Sequence, residues 1–180
     1  EHVDASGART HFSYDMLGEA AHTAADADKY FEDYRLAIDA IGREAGPGAP
    51  DAISGISVKL SALHPRYEYA KRDRVLKELG ARVRSLALQA KDYGIGFNVD
   101  AEEAARLDIS LDLIEALIRD DALKGWDGFG VVVQAYQRRA SFVIDWLAEL
   151  SRAAGRRIMV RLVKGAYWDS EIKRAQVAGL

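Results

Sequence analysis

Cysteine is absent from the 180 residues. That excludes disulfides, thiolate metal ligands and a cysteine nucleophile within this chain, and it suits a reducing compartment. A surplus of positive charge is absent too: 25 Lys and Arg stand against 28 Asp and Glu, for a net charge of −3. The chain therefore lacks the basic footprint of a dedicated nucleic-acid surface. No apolar stretch approaches the ~20 residues that a bilayer span requires. The start, Glu1-His2-Val3-Asp4, has neither an initiator methionine nor the basic-then-apolar form of a signal peptide. The end, Gln176 to Leu180, carries no cap or tail, and the chain reads as an excised piece of a longer one. Proline is scarce, and only 46–54, GPGAPDAIS, looks like a Gly/Pro-rich loop. No repeat, low-complexity tract or domain boundary is visible, so 1–180 is read as a single, truncated domain.

What is present is alternation. Five short apolar runs read as strands: 12–17, 55–60, 94–100, 129–135 and 158–163. Between them lie helical patterns over 19–44 (Phe31, Tyr34, Ile38, Ile41), 72–92 (Val75, Leu79, Val83, Leu86), 110–119 (Leu111, Ile114, Leu117) and 139–154 (Phe142, Trp146, Leu150). Each is an apolar stripe at steps of three or four, with charge elsewhere. Alternating strand and helix predicts parallel strands joined by right-handed crossovers. The strand starts are 43, 39, 35 and 29 residues apart. A (βα)8 TIM-type barrel of ~250 residues averages ~30 per unit, with room for insertions. The expected fold class is therefore α/β, the first five βα units of such a barrel. An open five-stranded doubly wound sheet fits the length well and stands as the alternative.

Side chains alternate faces along a strand. Ser13 and Asp15 share a face, as do Ser57 and Lys59, Asn98 and Asp100, Val132 and Gln134, and Met159 and Arg161. Each strand thus carries one strong polar group near its C-terminal end: Asp15, Lys59, Asp100, Gln134 and Arg161. The plain reading of any one is a polar cap at the solvent boundary. Recurrence on five strands points instead to a shared site, since parallel α/β proteins build their sites at strand C-termini. Lys59 and Arg161 suit a carboxylate or phosphate. Gln134 offers a donor and an acceptor, as an amide-bearing ring requires. Lys164-Gly165-Ala166 follows β-like Ile158–Val163 directly, and a helix is expected from Asp169 or Ser170, with Ser170 resembling its cap. A lysine, exposed backbone and a helix N-terminus together favour an anion such as a pyrophosphate; the plain reading is a basic loop with a structural glycine.

Other signals carry less. Gly94-Ile95-Gly96 and Gly128-Phe129-Gly130 open strands, whereas a dinucleotide fingerprint closes one. His2, His11, His22 and His64 have no metal-ligand spacing and read as solvated or capping residues, so no metal is expected. Asp100, Glu102 and Glu103 read as one functional carboxylate followed by two acids at a helix N-terminus. Ser61 lacks the context of a hydrolase elbow. Tyr167 and Trp168, taken alone, read as packing.

FSYDMLGEAA (12–21), ISVKLSALHPRYE (56–68), NVDAEEAARLDISLDLIE (98–115), VVVQAYQRR (131–139) and RLVKGAYWDSEIKRAQ (161–176) resemble the proline dehydrogenase domain family of bacterial bifunctional proline utilization proteins. The likeness is collinear from about residue 11 to the end. It implies a distorted (βα)8 barrel with FAD at the strand C-termini, and oxidation of L-proline to Δ1-pyrroline-5-carboxylate by hydride transfer to flavin N5, electrons passing to a membrane quinone. By the same resemblance Lys59 pairs with the proline carboxylate, and Asp100 orders the pocket beside it. Ala101 touches the flavin through its backbone, Gln134 bonds the isoalloxazine ring, and Arg161 lies near N5. Lys164, Gly165 and Ala166 meet the FAD phosphates and ribose. Tyr167 forms part of the proline pocket, Trp168 lies near the cofactor, and Glu19 is a gate residue that pairs with an arginine in the family's last helix.

That helix, with two arginines for the substrate carboxylate, does not occur before Leu180. The segment is therefore expected to hold about half the pocket and not to turn over proline alone. The implied partners are L-proline, a quinone and a fused aldehyde dehydrogenase module, with a cytoplasmic location and peripheral association with the inner membrane. Two competing readings are a catalytically silent binding or scaffold barrel and a metal-assisted, aldolase-like barrel, which would be chelator-sensitive and colourless.

Overall fold

A computed structural model describes residues 12–45 and 54–179; His2, His11 and most of the 46–54 loop lie outside them. Strands β1 (Ser13–Asp15), β2 (Gly55–Val58), β3 (Gly96–Val99), β4 (Phe129–Gln134) and β5 (Met159–Val163) alternate with helices α1 (Ala24–Glu44), α2 (Arg72–Tyr93), α3 (Leu107–Ile118), α4 (Ala140–Ala154) and α5 (Trp168–Val177). All neighbouring strands are parallel and lie in chain order, β1-β2-β3-β4-β5. A doubly wound sheet reverses strand order at a switch point and carries helices on both faces. Here there is no reversal, and one face alone feeds the core: Ile56, Val58, Phe97, Val99, Phe129 and Val131 join Tyr34, Ile38, Leu79, Val83, Leu113, Ile114 and Leu147 in one buried cluster. The architecture is five units of a TIM-type barrel, an open half-barrel.

The helices form where the stripes predict, with shifted ends. Helix α1 begins at Ala24 rather than near residue 19, because Thr23 and Asp26 make a reciprocal capping box: Asp26 N donates to Thr23 Oγ1 (3.1 Å) and Thr23 N donates to Asp26 Oδ2 (2.8 Å). Helix α3 begins three residues early, at Leu107, after a 3₁₀ turn at Ala104–Arg106. Helix α5 begins at Trp168, and Ser170 is not its cap, since Ser170 Oγ donates back to Tyr167 O (2.9 Å). On α4 the stripe is misplaced: Phe142 is 73 % exposed, while Ala140, Val143, Leu147 and Leu150 face the core. Phe142, Trp146 and Leu150 drift around a helix with 3.6 residues per turn, so a chain of four-residue steps crosses from the solvent face to the buried one.

The flanks differ from the centre. Val160 and Leu162 on β5 and Tyr14 on β1 point away from the barrel interior and are exposed, whereas the same face of β2 to β4 is covered by helices. No helix of the described residues is long and apolar enough to cross a membrane.

Candidate active site at the strand ends

The sheet register decides which polar groups meet. Val58 pairs with Val99, Val99 with Val131, and Val132 with Arg161. Extended by one residue, that register sets Lys59, Asp100 and Arg161 in one row on the inner face. Asp15, paired with Ser57, lies one step below, and Gln134, paired with Val163, one step above. Lys59 Nζ donates to Asp15 Oδ1 (2.6 Å) and Asp100 Oδ2 (3.3 Å). Arg161 donates through Nη2 to Asp100 Oδ1 (2.7 Å) and through Nη1 to Ser13 Oγ (2.9 Å). Asp100 therefore bridges two cations, and four charges of alternating sign sum to zero. Lys59 and Asp100, the two members largely removed from water, persist there only when paired in this way.

The environment shifts these groups unequally. Burial pushes the Asp100 carboxyl above the usual carboxylate range, against the pull of Lys59 and Arg161. Burial also works against the Lys59 ammonium, but the Asp15 hydrogen bond and the charges of Asp100 and Asp15 outweigh it and raise the group. The Tyr34 hydroxyl, buried under the site, accepts from Lys59 N (3.1 Å) and is pushed up to about 12, chiefly by burial. Arg161 Nε is buried with no protein partner, a donor left for something else.

Gln134 does not join the charged row. Its Nε2 donates to Glu102 O (2.8 Å) and its Oε1 accepts from Ala166 N (3.2 Å), so it ties the β3–α3 loop to the β5–α5 loop. One N–H and one lone pair of the amide remain for a ligand. Gly165 has φ +115°, and a Cβ there would sit 2.3 Å from the Tyr136 ring, so both conformation and space demand glycine. Lys164 and Ala166 beside it are exposed, and the loop leads straight into the N-terminus of α5. Tyr167 Oη donates to Glu19 Oε2 (3.0 Å), joining two residues far apart in the chain, and burial, with the Glu19 bond next, raises the tyrosine. Trp168 is exposed and Ala101 half-buried.

One expectation is overturned. Glu102 is not an acid of the α3 N-terminus: α3 begins at Leu107, and Glu102 is buried, accepts from Ser61 N (2.9 Å) and Arg106 Nη1 (2.8 Å), and is raised by burial. A 3₁₀ turn at 104–106 separates it from α3. Of the two readings of His64, capping holds and solvation does not: it is buried, its Nδ1 accepts from Arg66 N (3.1 Å), and its Nε2 contacts Glu78 Oε2 (3.1 Å). Ser61, without a nucleophile's setting, is a staple: its Oγ accepts from Ala20 N (3.0 Å) and its carbonyl from Ala21 N (2.9 Å). That holds Ala20 at φ +55°, a costly conformation for a residue with a Cβ, next to Glu19. No cluster of potential metal ligands exists among the described residues.

The fold is of the TIM-barrel class, and the inner strand-end cluster of paired lysine, arginine and carboxylates, next to a glycine-bent basic loop, is its candidate ligand site. The proline dehydrogenase family model matches residues 2–180, and the chain belongs to that family. It is 59 % identical over 169 residues to the bifunctional protein PutA of Klebsiella aerogenes and 58 % identical to that of Escherichia coli K12, covering 94 % of this chain and 13 % of either relative. A proline utilization A mutant from Bradyrhizobium japonicum superposes with a TM-score of 0.92 at 59 % identity, over 97 % of this chain and 18 % of that one. Proline utilization A from Bdellovibrio bacteriovorus inactivated by N-propargylglycine superposes with a TM-score of 0.86 at 29 % identity, over 93 % of this chain and 19 % of that one. The chain thus spans a small fraction of the length of these relatives.

Proposed function

We propose that this chain is the N-terminal part of a flavin-dependent proline dehydrogenase barrel, in which L-proline is oxidised to Δ1-pyrroline-5-carboxylate. The observation that carries the reading is the Lys59–Asp100–Arg161 row beside the 164–166 loop, in a chain of the proline dehydrogenase family. The charge balance supports it. A cluster of zero net charge suits a zwitterion better than a bare anion, and proline is a zwitterion. One relative is inactivated by N-propargylglycine, a secondary amine that carries a carboxylate, the same chemical pattern as proline.

The residues also fit a flavin nucleotide. Lys164, the exposed peptide at 164–166 and the N-terminus of α5 suit its phosphates. The orphaned Arg161 Nε suits the ring system, as do the spare N–H of Gln134 and the Ala101 backbone. Bound there, FAD supplies the hydride acceptor at N5, and a quinone takes the electrons onward. Lys59 holds the proline carboxylate with the donor that Asp15 and Asp100 leave free. Asp100 keeps Lys59 and Arg161 at fixed separation. Arg161 places positive charge where negative charge develops. Tyr167 walls the proline pocket, and Glu19 orients Tyr167. Trp168 flanks the cofactor. The relatives' bifunctional names support a further fused module; the family resemblance is what suggests that this module is an aldehyde dehydrogenase and that the quinone step goes with peripheral membrane association.

Adding L-proline without oxygen to the FAD-loaded full-length protein tests this. Loss of the flavin's visible absorbance is expected. A flavin that stays oxidised, or a protein that binds no flavin, contradicts the proposal and favours a silent scaffold.

A further inference from the structure

Glu171 stands in the first turn of α5, and both of its carboxylate oxygens are engaged across the strand-end loops. Oε1 accepts from Ala104 N (2.6 Å) in the β3–α3 loop, and Oε2 accepts from Tyr136 Oη (2.7 Å) in the β4–α4 loop. Tyr136 in turn grips the 164–166 loop at two points. Its N–H donates to Lys164 O (3.2 Å), and its ring lies against Gly165 so closely that no side chain fits there. One carboxylate therefore joins three loops at the mouth of the barrel. A solvated first-turn glutamate would only complement the helix N-terminus; this one is half-buried and fully partnered.

We propose that Glu171 is a positioning residue for the anion-receiving loop Lys164-Gly165-Ala166. Acting through Tyr136 and the Ala104 amide, it fixes the loop's path and so sets the affinity for the phosphates of the cofactor. This rests on the flavin reading above. Without the carboxylate, the Tyr136 hydroxyl loses its acceptor, the ring is free to leave Gly165, and the loop gains conformations that must be given up on binding. The Ala104 amide loses its partner at the same time.

The test uses full-length protein, stripped of flavin and titrated with FAD by fluorescence quenching, with amide hydrogen exchange at Ala104 measured on the same unloaded samples. Residues that hold a binding group in place without touching the ligand are worth about 10- to 100-fold in affinity at metal sites. Glu171→Ala is expected to weaken FAD binding roughly tenfold by that measure, and to speed Ala104 exchange. Glu171→Gln is expected to rescue both, because its amide oxygen still accepts from Ala104 and its N–H₂ can donate to the tyrosine oxygen. Tyr136→Phe removes only the hydroxyl and is expected to fall between them; it keeps the test decisive where Glu171→Ala does not fold. Wild-type FAD affinity in Glu171→Ala or Tyr136→Phe overturns the inference. A wild-type protein that binds no FAD overturns the flavin reading, and the Ala104 exchange rate then decides the brace alone: unchanged exchange in Glu171→Ala overturns it, and faster exchange upholds it.

Discussion

On β2 to β4, Ile56, Val58, Phe97, Val99, Phe129 and Val131 point to the helices and are at most 2 % exposed. On the same strands Ser57, Asn98 and Gln134 point the other way, continued by Lys59 and Asp100 at the strand ends. The outer face is closed, apolar and packed against α1 to α4. The inner face is charged, cross-linked by hydrogen bonds, and retains donors with no protein partner. A parallel strand can serve both purposes because adjacent residues face opposite ways. Stability and chemistry are then separable by residue parity, and substitutions one position apart should have different consequences.

The largest contrast lies between positions 97 and 59. Phe97 is fully buried, and its ring is 6.2 Å from that of Phe129. Phe97→Ala is expected to lower the unfolding free energy by about 3–5 kcal/mol in denaturant titration. Lys59→Met should cost much less stability, because Asp100 keeps Arg161 as a partner. A stability loss at 59 equal to that at 97 would erase the distinction between the faces. Next in size is Gly130, on the inner face, where a Cβ would meet Asn98 Oδ1 at 2.1 Å. Gly130→Ala should cost about 1–3 kcal/mol by overpacking, read from the denaturation midpoint.

The pH dependence sharpens the contrast at the loops. Burial raises the Glu102 carboxyl above its ordinary value of 4.5. A carboxyl raised on folding contributes stability below its unfolded value and loses it as pH rises through the folded one. Wild-type protein should therefore lose a component of stability as pH climbs from about 4.5, and Glu102→Gln should not. Thermal midpoints that run parallel for the two proteins would contradict this. The smallest effect is expected at Phe142, exposed on α4: Phe142→Ser should shift stability by less than about 0.5 kcal/mol.

The same parity explains what was legible in the sequence. The alternation of strands and helices, the stripes of α1 to α3 and the inner-face set Asp15, Lys59, Asp100 and Arg161 follow from periods of 2 and 3.6, which local sequence records; the strand order, which separates a barrel from a doubly wound sheet, does not. The contacts of the loops do not. Glu102 reads as an acid of a helix N-terminus until Ser61, from another loop, and Arg106 are seen to enclose it. His64 reads as either solvated or capping because its partner Glu78 lies on α2, beyond a turn. Glu171 and Tyr136 carry no signal of their link, since it depends on how three loops converge. Gln134 was legible as a strand-end amide, but its tie between Glu102 and Ala166 was not. Phe142 shows the limit even for helices, where apolar residues on the solvent side imitate a stripe.

The account depends most on Lys59 as the cation for the substrate carboxylate, and the L-proline affinity of the FAD-loaded full-length protein measures it directly. Replacing Lys59 with Met is expected to weaken proline binding by about 10- to 100-fold, the worth of a charged hydrogen bond, while the flavin stays bound. Proline affinity unchanged by that substitution would contradict the assignment of the inner-face row as the substrate site.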